Sequence, residues 1–178
     1  MISNKAKSLS SAGHITQSFK AGTEGQQRFY DSCRALNKDI KKTSKADDIG
    51  NHTDFVVDDQ TFDVKGLKKT QKEGKIILEI KNVQGKMGWC NHELKPEWIA
   101  FDFGAFFLHA KNADLFNLAK DKCDLRDTVY KVNECLYKGY RRKGRKDLMS
   151  MVTLQDVLTE CEHWFLPYSK YQLPMEEV

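Results

Sequence analysis

The stretch from Asp54 to Lys81, DFVVDDQTFDVKGLKKTQKEGKIILEIK, constrains this chain most, because it alternates with period two where a helix would repeat at 3.6. Residues 55–57 are apolar and β-branched, Asp58-Asp59-Gln60 makes a polar turn, and 61–64 resume the alternation. After a Lys/Gly/Glu-rich loop, 76–80 supply a further strand, so the pattern predicts a three-stranded meander. Strand side chains two apart share a face. Asp63 therefore sits with Lys65 and Glu79 with Lys81, while Val64 and Ile80 turn to a core. Asp54 opens the first strand, and neighbouring strands gather carboxylates and ammonium groups into one patch.

Such a patch suits a hard divalent cation. Mg²⁺ is usually held by one or two carboxylates, with waters and substrate phosphate completing its shell. A lysine beside it can orient or deprotonate an attacking water and offset charge developing at a phosphoryl centre. Without a cation, clustered carboxylates repel one another and one is driven toward its protonated form.

Asp54 followed by Asp63-Val64-Lys65 resembles the motif of the PD-(D/E)XK nuclease superfamily, also called the restriction-endonuclease-like fold. In that motif an Asp begins one strand and Asp/Glu-x-Lys lies on its neighbour. A second register uses Asp63 as the first acid and Glu79-Ile80-Lys81 as the other half; Asp63 belongs to both. The first register is preferred because its halves share one hairpin. The runs DVKG, EIKNVQGKMGW and WIAFD also resemble small bacteriophage nucleases of this superfamily, and the likeness covers roughly the middle of the chain. Thr53 stands where the motif has proline.

The resemblance implies an α/β fold with a restriction-endonuclease-like core, a central mixed sheet flanked by helices. It implies a DNA endonuclease that hydrolyses phosphodiester bonds with Mg²⁺ or Mn²⁺. Asp54 and Asp63 would hold the metal with the backbone carbonyl of Val64, and Lys65 would orient the water or stabilise developing charge. Glu79 and Lys81 form a second line that takes over if the second register operates. Glu24, on the first helix, is a further metal ligand by resemblance; by position alone it complements the helix dipole. Junction-resolving (Holliday-junction resolvase-like), restriction, nicking and exonucleolytic members are not told apart here. Junction-resolving members usually act as homodimers, and no sequence feature fixes the oligomeric state. Two other readings stand beside this one. A solvated edge hairpin would carry Asp63–Lys65 as an ion pair worth under about 1 kcal/mol. A non-catalytic nucleic-acid-binding or partner-binding module could use the same fold.

The 178 residues suit one domain with a real core, divided into a flexible Ser/Lys/Gly-rich arm at 1–21, a nuclease-like core at 22–125 and a basic helical extension at 126–178. A helix is expected over 23–37, capped by Thr23 with Gln26, with Phe29, Cys33 and Leu36 inward. Residues 38–51 read as a loop. The glycine-containing loop at 82–89 places Gln84 and Lys86 to touch phosphate, with Trp89 read as a core lid. Residues 98–103 and 106–111 predict a buried hairpin around Gly104-Ala105, followed by a helix capped by Asn112.

The net charge is only +4, but it is unevenly spread. Lys131, Lys138, Arg141, Arg142, Lys143, Arg145 and Lys146, interleaved with Tyr130, Tyr137 and Tyr140, form a footprint for a DNA phosphate backbone. Thr153 with Asp156 caps a last helix, Trp164-Phe165-Leu166 anchors its end, and a loose tail is expected from Pro167. No apolar run is long enough to span a membrane and no signal segment is visible, so the expectation is a cytoplasmic protein (of the host cell if phage-encoded) without a membrane partner. Five scattered cysteines without a CxxC pair read as reduced thiols, and Cys90 with His92 falls short of a zinc site. No GxxxxGK[ST], GxGxxG or GxSxG motif supports an NTPase, dinucleotide-binding or elbow-hydrolase reading.

Overall fold

The computed structural model describes residues 22–44, 51–90 and 96–169; the N-terminal arm, Asp47-Asp48 and His92 lie outside them. Helix α1, described over 22–35, leads into β1 (Ile40–Lys42), β2 (Phe55–Val57) and β3 (Gln60–Lys65). A short α2 (Lys69–Lys72) precedes β4 (Lys75–Lys81), β5 (Trp98–Asp102) and β6 (Phe106–Lys111). Then come α3 (Asn112–Lys122), β7 (Asp124–Val129), a 3-10 turn at Val132–Glu134, β8 (Lys138–Tyr140), β9 (Leu148–Thr153), α4 (Leu154–Glu160) and β10 (His163–Pro167).

The chain is α/β, with two sheets flanked by helices. The larger is mixed, in the order β1-β2-β3-β5-β6-β10, with β3 and β5 parallel. The smaller, also mixed, has the order β4-β9-β8-β7. Strand β5 shows how the layers form. All five of its residues are buried, so its near-continuous apolar run demands a central place covered on both faces. Trp98 and Ala100 join Phe29, Phe55, Phe62 and Phe107 in the core under α1, whereas Ile99 and Phe101 join Ile76, Leu78, Leu115 and Val152 in a second core. Phe29 anchors the first core, with ring centroids 5.6, 5.5 and 5.3 Å from those of Phe55, Phe62 and Phe107.

The three-stranded meander exists, but with different members. Strand β1, in a segment expected as loop, pairs antiparallel with β2, and β2 with β3. Strand β4 does not continue that meander; it leaves for the smaller sheet, where Lys75 pairs with Thr153 and Glu79 with Met149. After β3 the chain turns through α2 and Gly74, whose φ of 69° is open to glycine at little cost. The vacated edge of β3 is taken by the more apolar β5. The region expected as a helical extension is instead mostly strand: β7 to β10, with one seven-residue helix.

Smaller corrections concern single side chains. Thr23 lies inside α1 rather than capping it, and Leu36 is exposed beyond its end. Asn112 is the first residue of α3, not its cap, and its amide donates to the carbonyls of Trp89 (3.0 Å) and Pro96 (3.1 Å). Phe165 is exposed, while Tyr168, in the expected loose tail, is buried. The β5–β6 hairpin and the Thr153/Asp156 capping box form as expected.

His109 on β6 is fully buried, with ring centroids 5.5, 5.2 and 3.6 Å from those of Phe29, Phe62 and Trp164. Neither ring nitrogen has a hydrogen-bond partner. Burial, then the charge of Lys38, pushes its pKa down to about 3. Unfolded, the ring titrates near 6.5, so below that pH the unfolded chain takes up a proton that the folded one refuses. This contribution is intact above about pH 6.5 and shrinks by roughly 1.4 kcal/mol per pH unit toward the folded value. Urea unfolding of His109→Leu at pH 7 and pH 4.5 is expected to show a smaller acid loss than wild type. Equal losses would relieve His109 of that role.

Candidate metal and nucleic-acid site

The β2–β3 hairpin builds the centre of the site. Asp58 and Asp59 take left-handed conformations (φ 47° and 67°), the pair of positive angles that a tight hairpin turn needs. That turn sets Val57 opposite Gln60 and Phe55 opposite Phe62. Asp54, at the open end, is nearly fully buried. Its Oδ2 accepts from the Val64 amide at 2.8 Å and its Oδ1 from Gln26 Nε2 of α1 at 2.7 Å. The Asp54 carboxylate is thus pinned to β3 one residue from Asp63.

Asp63 is also buried, in register with Ile99 of β5. Its Oδ2 lies 2.5 Å from Lys65 Nζ but accepts no aligned hydrogen bond, so a buried carboxylate oxygen is left with one ammonium beside it. The Lys65 ammonium in turn sits 4.9 Å from the centroid of the Trp89 ring. Trp89 is buried edge-on against Phe101, as a core lid that supports Lys65. Asp54 is approached from α1 and Asp63 from the side of Lys65 and Trp89; the end of the hairpin is what they share.

Glu79 and Lys81 stand on the smaller sheet, Glu79 half-buried and Lys81 exposed. Beyond them the chain folds back: Gly88 donates to the Ile80 carbonyl (2.9 Å) and Cys90 to that of Glu79 (3.1 Å). Only glycine fits at 88, since a Cβ there would lie 2.2 Å from the Glu79 carbonyl oxygen. Asn82 Oδ1 organises the turn by accepting from the amides of Gln84 (3.0 Å) and Lys86 (3.2 Å), and both side chains are exposed. Gly85 packs against Lys146, so this turn adjoins the basic segment.

That segment divides in two. Lys131 and Lys138 are neutralised by Glu134 and Asp127 at 3.3 and 2.6 Å. Arg141, Lys143, Arg145 and Lys146 have no carboxylate partner among the described residues. Arg142 is held by fully buried Asp147, through its Nε and through its backbone amide at 3.2 Å.

Glu24 is more than half exposed and lies 4.0 Å from Arg28. Among the described residues, no three His, Cys, Asp or Glu side chains gather as a metal cluster, so Glu24 and Glu79 do not join Asp54 and Asp63 in one. Burial pushes the thiols up, Cys33 and Cys161 to about 12 and Cys135 to about 11.

Sequence reasoning gave no role to Lys68, Asp102 or Tyr168, and gave Gln26 only that of capping α1 with Thr23. Only Asp102 carried a signal, as a charge interrupting an apolar run. It is fully buried: Oδ1 accepts from the Gly104 amide (2.8 Å) and the Tyr168 hydroxyl, and Oδ2 accepts from Arg28 Nη2 (2.5 Å). No helix among the described residues is long and apolar enough to cross a membrane. No family model, curated protein or solved structure matches the chain.

Proposed function

We propose that this protein is a divalent-metal-dependent DNA endonuclease with a restriction-endonuclease-like core. The observation that carries the proposal is the buried Asp63 Oδ2, without a hydrogen bond and beside Lys65, one residue from the amide that fixes Asp54. An all-oxygen donor set of two carboxylates and the Val64 carbonyl suits Mg²⁺ or Mn²⁺ better than zinc. Bound there, such an ion would polarise a phosphoryl oxygen and acidify a coordinated water. Gln26 and the Val64 amide orient Asp54, since both donate to it. Lys65 offsets charge on the reacting phosphate and orients the attacking water. Arg141 to Lys146, with Gln84 and Lys86 alongside, hold the DNA backbone. Glu79 and Lys81 remain the alternative acid-x-Lys set, from the facing sheet.

The unneutralised cations at 141–146 also favour a second reading, a module that binds nucleic acid without cutting it. Plasmid nicking with Mg²⁺ or Mn²⁺, compared among wild type, Asp63→Ala and Lys65→Ala, decides between them. Salt-dependent binding with no metal-dependent nicking would support the second.

A further inference from the structure

The loop after β3 and the segment between β8 and β9 bring like charges together. Lys68 is exposed to solvent on the loop after β3, where Lys65 adds like charge and Glu79 and Asp63 add opposing charge. It makes no ion pair among the described residues. Its backbone is fixed nonetheless: the Lys68 amide donates to Gln71 Oε1 at 2.5 Å, and buried Gln71 donates through Nε2 to the Asp102 carbonyl at 3.1 Å. Lys65, Lys68 and Thr70 line one small cavity of about 10 Å³, with Ile77 and Phe101 as its apolar wall. That is room for a single oxygen-sized atom. Thr70 Oγ1 is buried there with no hydrogen-bond partner. Arg142 spends its Nε on Asp147, while its terminal nitrogens have no acceptor among the described residues.

A fixed loop, an unused hydroxyl and a lysine without an ion-pair partner are complementary to one chemical group, a phosphate oxyanion. We propose that Lys68 and Thr70 form a phosphate subsite that grips the DNA backbone beside the diester placed for cleavage. The subsite rests on the endonuclease reading for its occupant.

The test is DNA binding by the full chain in chelator, where no metal-dependent cutting occurs, across a salt series with a short fluorescent duplex. Lys68→Gln is expected to bind several-fold more weakly, with a log–log salt slope shallower by about 0.9, the signature of one lost phosphate contact. Lys68→Arg is expected to restore the slope, and Thr70→Val to weaken binding without changing it. Melting temperature separates these effects from misfolding, because the Lys68 side chain has no protein partner to lose. An unchanged slope in Lys68→Gln overturns the subsite, as does a wild type that binds no duplex. Stabilisation of wild type by inorganic phosphate, lost in Lys68→Gln while duplex binding stays equal, assigns the cations to free phosphate and also overturns it. A reduced slope in Lys68→Gln, with no Mg²⁺-dependent nicking by wild type, keeps the subsite and removes the endonuclease reading.

Discussion

Asp63→Ala and Lys65→Ala are each expected to lower Mg²⁺-dependent plasmid nicking by at least about 10²-fold, the low end of what one proton-transfer or charge-stabilising group contributes. The two losses have different origins. Without Asp63 the hairpin end keeps one carboxylate, Asp54, already engaged by Gln26 and the Val64 amide. Without Lys65, Asp63 stays buried but loses the only cation paired with it among the described residues. Raised Mn²⁺ is therefore expected to recover part of the Asp63→Ala activity and none of the Lys65→Ala activity. Unchanged circular dichroism must accompany both losses. Wild-type activity in both variants would remove the β2–β3 hairpin as the catalytic centre, and loss in Glu79→Ala alone would transfer that role to β4.

The largest stability effect is expected at Asp102. Its carboxylate is fully buried and binds the Arg28 guanidinium, the Tyr168 hydroxyl and the Gly104 amide. Asp102→Ala strands those donors together. Removing one partner of a buried ion pair costs about 3–5 kcal/mol; because Arg28 is one-third exposed and can rehydrate, the lower end, about 3 kcal/mol, is expected here. At roughly 2–4 °C per kcal/mol for a chain of this size, the melting temperature falls by about 6–12 °C. Asp102→Asn, which keeps the shape and one acceptor, is expected to lose less. Tyr168→Phe, which removes a hydroxyl bonded to Asp102 and Arg28, should lose about 2 kcal/mol, within the range for hydrogen bonds to charged groups. Calorimetric melts of the three variants check the order, and an Asp102→Ala melt equal to wild type would contradict it. The loss reaches the site as well. Arg28 ties the first turns of α1 to β5 where Gly25 packs on Gly66, and Gln26, between them, holds Asp54.

Local pattern carried what depends on local physics. Alternation and the Asp58-Asp59 turn marked β2 and β3; the apolar runs around Gly104 marked β5 and β6; Thr153 and Asp156 marked the start of α4. Period two tells which face of a strand is buried but not which strand lies beside it, so β4 was legible as a strand and illegible as a member of the other sheet. The same limit applies to charge. A basic run is visible in the sequence, but Asp127 and Glu134 neutralising Lys138 and Lys131 and Asp147 holding Arg142, while Arg141, Lys143, Arg145 and Lys146 have no carboxylate partner among the described residues, is a property of the folded chain. Asp54 and the Asp63/Lys65 pair were legible because a motif in one hairpin fixes its own geometry. Gln26, reaching Asp54 from α1, and Tyr168, reaching Asp102 from beyond β10, are long-range contacts with no sequence mark.

The most direct measurement is a calorimetric titration of Mn²⁺ into wild type, Asp54→Asn and Asp63→Asn under identical buffer. A shared site at the end of the β2–β3 hairpin predicts a binding isotherm for wild type that is lost in both variants. Three superimposable isotherms, or loss in one variant only, would contradict it.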